Sequence, residues 1–170
     1  MSLPAPPTIV AAHLDDAPAI LAMQKLAFEP EARACQAWDI PPLQETVEGI
    51  REHIAMATVL KAMDGERMVG SIRGIVTGGT CLIRVLMVAS EAQGRGIGAV
   101  LLRAIEAAHP RVERFELTTN MIMVGNVRFY LRHGYDIVEQ VQYAPTVRLA
   151  LLRKIARPPA SAQAGDQGPG

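Results

Sequence analysis

The sequence predicts an α+β fold built on one mixed, mostly antiparallel sheet. An apolar run, Val85–Val88, leads through a glycine-rich turn into an amphipathic helix, and an alternating strand, Arg114–Thr119, follows. That strand–helix–strand unit predicts a parallel pair with a right-handed crossover. Asp64-Gly65 and Thr77–Thr80 separate three apolar runs, the last of which ends in Val85–Val88, and this is typical of antiparallel hairpins. We therefore expect a seven-stranded sheet flanked by about four helices.

The chain has 170 residues, of which 49% are hydrophobic, enough for one substantial core. We expect a single domain over residues 8–155, a frayed proline-rich N-terminus over residues 1–7, and a disordered tail over residues 157–170. The tail prediction rests on its Pro, Ala, Gly and Gln content.

Composition argues against several classes of partner. The formal net charge is +0, so general nucleic-acid binding is not expected. No apolar run approaches the ~18 residues of a membrane helix, and no signal-peptide pattern opens the chain. The two cysteines, Cys35 and Cys81, lack metal-site spacing, so we expect no metal and a reduced, cytoplasmic protein.

The first half of the chain supplies a strand, two helices and the three hairpin strands. Acidic residues and Pro18 start the first helix, whose apolar stripe runs to Phe28. Three prolines then predict a loop or broken helix over residues 29–43. The expected elements are a strand at Thr8–His13, a helix at Thr46–Met56, and strands at Thr58–Met63, Met68–Val76 and Cys81–Val88.

The second half begins with the central helix, which has apolar residues at helical spacing from Ile97 to Ala108. After the Arg114–Thr119 strand we expect a last helix over Val127–His133, capped by Asn126 and ended by Gly134. The closing antiparallel strands are Tyr135–Gln142 and Val147–Ile155. We place them at a sheet edge, and the apolar run Val147–Leu152 therefore predicts a homodimer through this region.

The turn Gln93–Gly98 has the composition of a phosphate cradle. Its glycines let a bulky anion approach the backbone, and the helix that follows offers unpaired N–H groups and a positive dipole end. Arg95 adds a full charge. No Lys-Ser/Thr follows Gly98, so the ATP-type P-loop is absent. A dinucleotide fingerprint is formally present at Gly94, Gly96 and Ala99, but it follows several strands rather than the first.

Two segments resemble the GNAT superfamily of N-acetyltransferases. Gln93-x-x-Gly96-x-Gly98, after a strand ending Leu-Met-Val, is similar to its acetyl-CoA-binding motif. Asn126–Tyr135 is similar to its late N-x-x-x-Y-x-x-x-G-[YF] segment, and the resemblance covers roughly residues 8–155. It implies that the strand before the motif splays from its neighbour and that pantetheine inserts there. The implied cofactor-binding residues are Leu86, Met87, Val88, Gln93, Gly94, Arg95, Gly96, Ile97, Gly98 and Asn126.

The same resemblance implies acetyl transfer from acetyl-CoA to an amine, with Tyr130 as the general acid that protonates the CoA sulfur. Alternatively, Tyr130 only packs beneath the central helix. Asn126 either bonds the pantetheine arm or only caps its helix. Thr119 and Asn120, at a strand end, either touch the acceptor or only start a loop. The general base is either Glu116 or a water relay.

Acceptor recognition is the least determined feature of the sequence. Glu29, Glu31 and Asp39 lie in the predicted loop, where they either attract a cationic amine or are simply solvated. Met121–Gly125 is strongly apolar, which argues for a partly hydrophobic acceptor. The predicted function is acetyl transfer to a primary amine of a small molecule or a peptide N-terminus. The alternative is a non-catalytic acyl-CoA sensor on the same fold.

Overall fold

A seven-stranded sheet organises the protein in the computed structural model, which describes residues 3–156. Its strands are β1 Thr8–Ala11, β2 Thr58–Asp64, β3 Arg67–Thr77, β4 Thr80–Val88, β5 Arg114–Asn120, β6 Asp136–Ala144 and β7 Val147–Ile155. They lie in the order β1-β2-β3-β4-β5-β7-β6, and β4 with β5 is the parallel pair of this described sheet. The predicted mixed α+β fold is confirmed. The predicted tail, 157–170, lies outside the described residues.

Five α-helices flank the sheet over residues 3–156: α1 Ala17–Cys35, α2 Pro41–Gln44, α3 Val47–Met56, α4 Ile97–Ala108 and α5 Val124–Arg132. Four are of the expected kind, and α2 is a single added turn. Thr46 caps α3 by accepting a hydrogen bond from Gly49 N at 3.1 Å. Within the described chain, no helix is both long and apolar enough to cross a membrane.

Two apolar clusters sandwich the sheet. The face under α4 buries Ile97, Leu101 and Ile105 against the strands, with Ile72 and Leu117 among their partners. A second, smaller cluster packs α1 and α3 against the sheet, and it is made of Ala17, Ile20, Leu21, Ile50, Val59 and Met87. This sheet, with one parallel pair and hairpins, is unlike the parallel sheet of a Rossmann domain.

The interpretation of residues 29–43 as a loop or broken helix is wrong for its first part. Helix α1 continues through Pro30 to Cys35, and Gln36 ends it in the left-handed region at φ 53°. Proline removes one helical hydrogen bond, but the buried Ala32 and Cys35 beyond it anchor the last turns to the core. Glu31 is therefore held on a helix rather than on a loop.

The last strand is not at a sheet edge. β7 pairs with β5 on one side and with β6 on the other, and Val147, Ala150 and Leu152 are buried within the chain. The premise that Val147–Leu152 lies at a sheet edge and needs a partner subunit is therefore wrong, because strands of the same chain pair with it on both sides. β6 forms the edge. The homodimer itself stays a prediction.

The close approach of α4 to the sheet depends on Gly70 in β3. A Cβ at Gly70 would lie 2.9 Å from Leu101 Cδ1 and 2.9 Å from the carbonyl oxygen of Met87. Since the second atom belongs to a backbone, it cannot move cheaply. We expect Gly70→Ala to lower the free energy of unfolding by about 1–3 kcal/mol, measured by urea denaturation.

Gly49→Ala is the matched control, because a Cβ there meets only Thr46 Oγ1 at an ordinary 3.5 Å. In the first turn of α3 this change should raise the free energy of unfolding, by up to about 0.5–1 kcal/mol. Equal effects of the two substitutions would contradict the close-packing explanation.

Candidate active site

The parallel pair β4–β5 opens after a short contact. Its register contains only three residue pairs, of which Leu82–Glu116 is the last. Beyond it β4 continues to Val88 and β5 to Asn120 without pairing to each other, while β5 stays paired to β7 along its length. The backbone groups on the facing edges are therefore free to bind a ligand inserted between the strands.

A β-bulge lies where β4 leaves β5. Ser71 faces Met87 but Arg73 faces Arg84, so β4 has one residue more than β3 across this stretch. Val85 has φ 49°, a strained conformation for a β-branched residue. The extra residue exchanges the two faces of the strand: Ile83 and then Leu86 pack toward α4, whereas Met87 packs toward α1.

A cavity of about 830 Å³ occupies the opening on the side of the glycine turn. The predicted cofactor-binding residues that line it are Leu86, Met87, Val88, Gln93, Gly94, Gly96, Ile97, Gly98 and Asn126. Arg95 does not line the cavity, because its guanidinium turns away to pair with Asp64 Oδ2 at 2.9 Å. The Arg95 guanidinium is therefore paired with Asp64 and does not supply the positive charge expected in the cavity. Arg132, which sequence reasoning missed, is the exposed cation that lines this cavity.

The turn itself is an open cradle of main-chain groups. Gly94 and Gly96 both have φ 77°, and a Cβ on either would meet no atom within 4 Å. Gly96 caps α4, and no side chain bonds the N–H groups of its first turn. These donors and the positive helix end face the cavity, an arrangement that binds phosphate.

Helix α5 brings Asn126 and Tyr130 to the opening. It begins at Val124, three residues earlier than predicted, so Asn126 lies in its first turn and is not the cap. Tyr130 is 9% exposed, and its ring contacts Phe129 and Tyr135 edge-on at centroid distances of 5.1 and 5.8 Å. Burial raises the pKa of the Tyr130 hydroxyl well above its ordinary value. The hydroxyl therefore keeps its proton at neutral pH.

A second cavity of about 430 Å³ lies between the diverging strands on the side of α2. Its walls are mostly apolar, from Ile40, Pro41, Pro42, Ile83, Leu117, Tyr143, Val147 and Leu149, with Arg84, Thr118, Thr119 and Asn120 as polar members. Five residues line both cavities: Phe28, Glu31, Leu86, Asn126 and Tyr130. Ligands that enter from the two sides would therefore meet at these residues, which we call the junction.

Glu31 places a carboxyl group at the junction. Burial raises the pKa of this carboxyl above its ordinary value, and the nearby Asn120 amide offsets part of the effect. Asn120 is 2% exposed; its Oδ1 accepts a hydrogen bond from Ile122 N at 3.2 Å, whereas Nδ2 has no hydrogen-bond partner of normal geometry. The bonded oxygen fixes the amide, and its Nδ2 group faces the Glu31 carboxyl. The sequence named Glu31 among three carboxylates of a predicted loop that either attract an amine or are solvated, and the structure places Glu31 on α1 at the junction.

Glu116, the predicted candidate base, is not brought to the junction. It lies at the closed end of the opening and lines neither cavity. Arg153 donates two hydrogen-bonding groups to its carboxylate at 2.8 Å, and Arg114 lies 3.4 Å away. These ion pairs occupy the carboxylate.

Cys81 is buried in β4, and burial raises the pKa of its thiol to about 11. It is therefore a protonated core residue rather than a nucleophile. Among residues 3–156 there is no cluster of three or more His, Cys, Asp or Glu side chains that could hold a metal ion.

Comparisons with known proteins agree with this architecture. A family model described as an acetyltransferase (GNAT) domain matches residues 55–137. No curated protein sequence gives a significant match.

Solved structures of low sequence identity share the fold. The ribosomal-protein-S18-alanine N-acetyltransferase from Escherichia coli is 13% identical with a TM-score of 0.76, over 92% of this chain and 97% of that chain. The ribosomal-protein-alanine N-acetyltransferase from Brucella melitensis is 20% identical with a TM-score of 0.69, over 87% and 99%. The yncA protein from Salmonella typhimurium, solved with its cofactor acetyl-CoA, is 16% identical with a TM-score of 0.70, over 94% and 99%.

The family match covers the hairpin strands, the glycine turn, α4, β5 and α5, which are the elements that form the opening described above. Together with the shared fold, this match to just under half of the chain supports membership of the GNAT superfamily of acetyltransferases.

Proposed function

We propose that the protein transfers an acetyl group from acetyl-CoA to a primary amine of a small molecule or a peptide N-terminus. The observation that carries this proposal is the junction, where a cradle-containing cavity meets a second cavity at Glu31, Leu86 and Tyr130. A protein that only bound the cofactor would need the first cavity alone. A transferase needs both, with acid and base groups between them.

The residues of the larger cavity fit acetyl-CoA. The unpaired edge of Leu86–Val88 would bond the amide groups of the pantetheine arm, and the main-chain N–H groups of the glycine turn would hold the pyrophosphate. The open space at Gly94 and Gly96 leaves room for that anion. When bound, acetyl-CoA supplies the activated acetyl thioester. The Salmonella relative solved with acetyl-CoA supports this assignment.

Tyr130 is proposed as the general acid. Its hydroxyl is protonated at neutral pH, lines both cavities and has no recorded hydrogen bond within the described chain. As the amine nitrogen bonds to the carbonyl carbon, the carbon–sulfur bond breaks and Tyr130 donates its proton to the sulfur. Tyr130 then recovers a proton from solvent.

Glu31 is proposed as the base in place of Glu116. It is the carboxyl group of the junction, and a raised pKa brings it closer to that of a base working near neutral pH. Ionised Glu31 first pairs with the incoming ammonium group and then accepts its proton, which leaves the nitrogen lone pair free to attack. Overall, the ammonium group loses two protons: Glu31 takes the first and passes it to solvent, and the second leaves the nitrogen for solvent as the amide forms. This second proton balances the one that Tyr130 gives to the sulfur and recovers.

The test has two steps. Calorimetric titration with acetyl-CoA, CoA, NAD and ATP should show tight binding of the first two only. Thiol release is then measured across a panel of amines. Tight binding of acetyl-CoA without thiol release from any amine would favour the non-catalytic sensor, and preferred binding of NAD or ATP would contradict the cofactor assignment.

Gly96→Val should weaken CoA binding at least tenfold, about 1.4 kcal/mol in a calorimetric titration. Valine at φ 77° is strained, and its side chain would enter the space left for the anion. Gly78→Val is the control, since Gly78 also has a positive φ of 58° but lies in the β3–β4 turn, outside both cavities. Equal loss of affinity in both variants would point to general misfolding.

Tyr130→Phe should lower kcat by about 10²–10⁴-fold with acetyl-CoA affinity nearly unchanged, because the hydroxyl acts mainly in the transition state. Tyr135→Phe is the control in the same aromatic cluster. Its hydroxyl donates to Glu106 at 3.1 Å, so this variant should lose thermal stability but keep kcat. A Tyr130→Phe enzyme with more than about a third of wild-type kcat would rule out this acid role.

Glu31→Gln should lower kcat/KM by about 10²–10⁴-fold and remove the acidic limb of its pH profile, since the base works only when ionised. Burial disfavours the charged carboxylate in the folded state, so stability is lost as pH rises through its raised pKa. The Gln variant should therefore unfold at an equal or higher temperature at pH 7.

Glu29→Gln is the matched control on the same helix. Glu29 is partly exposed and pairs with Arg33 at 2.8 Å, outside both cavities. Its pH profile should match that of the wild type. An unchanged acidic limb in Glu31→Gln would transfer the base role to another group or to water.

A further inference from the structure

Arg84 is a cation without a carboxylate partner in the smaller cavity. It lies on β4 immediately before the bulge, and it is half-buried. Within residues 3–156 it forms no ion pair. Its hydrogen bond is a long one, from Nη1 to Thr118 Oγ1 at 3.4 Å. Most of its five N–H donors are therefore available to a ligand.

The neighbouring Arg73 has the carboxylate partner that Arg84 lacks. Arg73, on β3, is 7% exposed and is held by both carboxylate oxygens of Glu45 at 3.1 and 3.2 Å. Burial, and then repulsion from Arg73, lower the pKa of the Arg84 guanidinium. A half-buried guanidinium in this setting favours an oxyanion, which it can bind through two parallel hydrogen bonds.

The cation-binding end of the cavity is separate. Glu31 lies at the junction, and Asn120 lines the smaller cavity beside it. No ion pair joins Glu31 to Arg84, so each group is left for a ligand. The other residues that line the cavity are mostly apolar, with Ile40, Pro41 and Leu149 among them.

We propose that the smaller cavity binds a small acceptor that carries both a primary amine and an oxyanion on an apolar body. Arg84 and Thr118 bind the oxyanion, Glu31 binds the ammonium group, and the apolar walls contact the remainder. This inference rests on the proposed acetyl transfer and narrows its acceptor to amino-acid-like molecules. The volume of about 430 Å³ is that of a small-molecule pocket rather than a peptide channel.

The test compares acceptors that differ in the anion alone. Thiol release is measured with L-phenylalanine, its carboxamide, its phosphonate analogue and 2-phenylethylamine, and with amino acids in which longer carbon chains separate the amine from the carboxylate. At least one acid should exceed its uncharged amide tenfold or more in kcat/KM. The phosphonate arm shows whether carboxylate or phosphonate is the preferred oxyanion.

Arg84→Met keeps an unbranched apolar stem and removes the guanidinium charge. We expect the acid-over-amide ratio of kcat/KM to fall at least tenfold, mainly through KM, and Arg84→Lys to restore part of it because it keeps a point charge but loses the planar fork. The control is Arg103→Met, an exposed residue of α4 outside both cavities, which should keep the wild-type ratio. Circular dichroism checks that each variant is folded.

Failure of this inference differs from failure of the proposed function. If amines are acetylated but the carboxylate gives no advantage, or a peptide N-terminus exceeds every free amino acid, the inference is overturned and the transferase stands. If no amine releases thiol, calorimetry with the same acids decides: binding that Arg84→Met abolishes supports the anion site, and binding that it leaves unchanged, or no binding at all, overturns it.

Discussion

The short pairing between β4 and β5 is the constraint on which the rest of the structure depends. Parallel strands in a sheet normally pair along their length, and unpaired backbone groups cost free energy unless water or a ligand satisfies them. Here the pairing ends at Leu82–Glu116. The opening persists because β3 holds the other edge of β4 and β7 holds the other edge of β5. The bulge at Val85 then directs Leu86 and the residues after it into the gap.

The chemistry is assembled from elements that are distant in sequence. α1 contributes Glu31, β4 contributes Leu86, β5 contributes Asn120 and α5 contributes Tyr130, and all four lie around the place where the two cavities meet. Burial raises the pKa of two of these groups, the Glu31 carboxyl and the Tyr130 hydroxyl. The Tyr130 hydroxyl therefore stays protonated at neutral pH, while the raised pKa of the Glu31 carboxyl lies closer to neutrality, which is consistent with the separate acid and base roles proposed for them.

A buried polar network holds one wall of the smaller cavity. Gln24, 1% exposed on α1, donates to Pro42 O at 2.8 Å and to the Glu45 carboxylate. The same carboxylate receives Arg73 from β3, and His53 Nε2 lies 3.1 Å from it. These contacts tie α1, α3 and the sheet to the segment that carries Pro41 and Pro42. The apolar end of the smaller cavity is thus held by an ion-paired cluster, in contrast to Arg84 inside the cavity, which forms no ion pair among residues 3–156.

The sequence by itself determined the elements whose signals are local. Alternation gave the strand at β5, the stripe from Ile97 to Ala108 gave α4, and the alternating glycines marked the cradle, because each depends on spacing within a few residues. Only the tertiary structure decided the continuation of α1 through Pro30, the burial of β7, the pairing of Arg95 with Asp64, and the removal of Glu116 from the site. These features depend on contacts between distant segments, which outweigh local propensity and cannot be read from spacing alone.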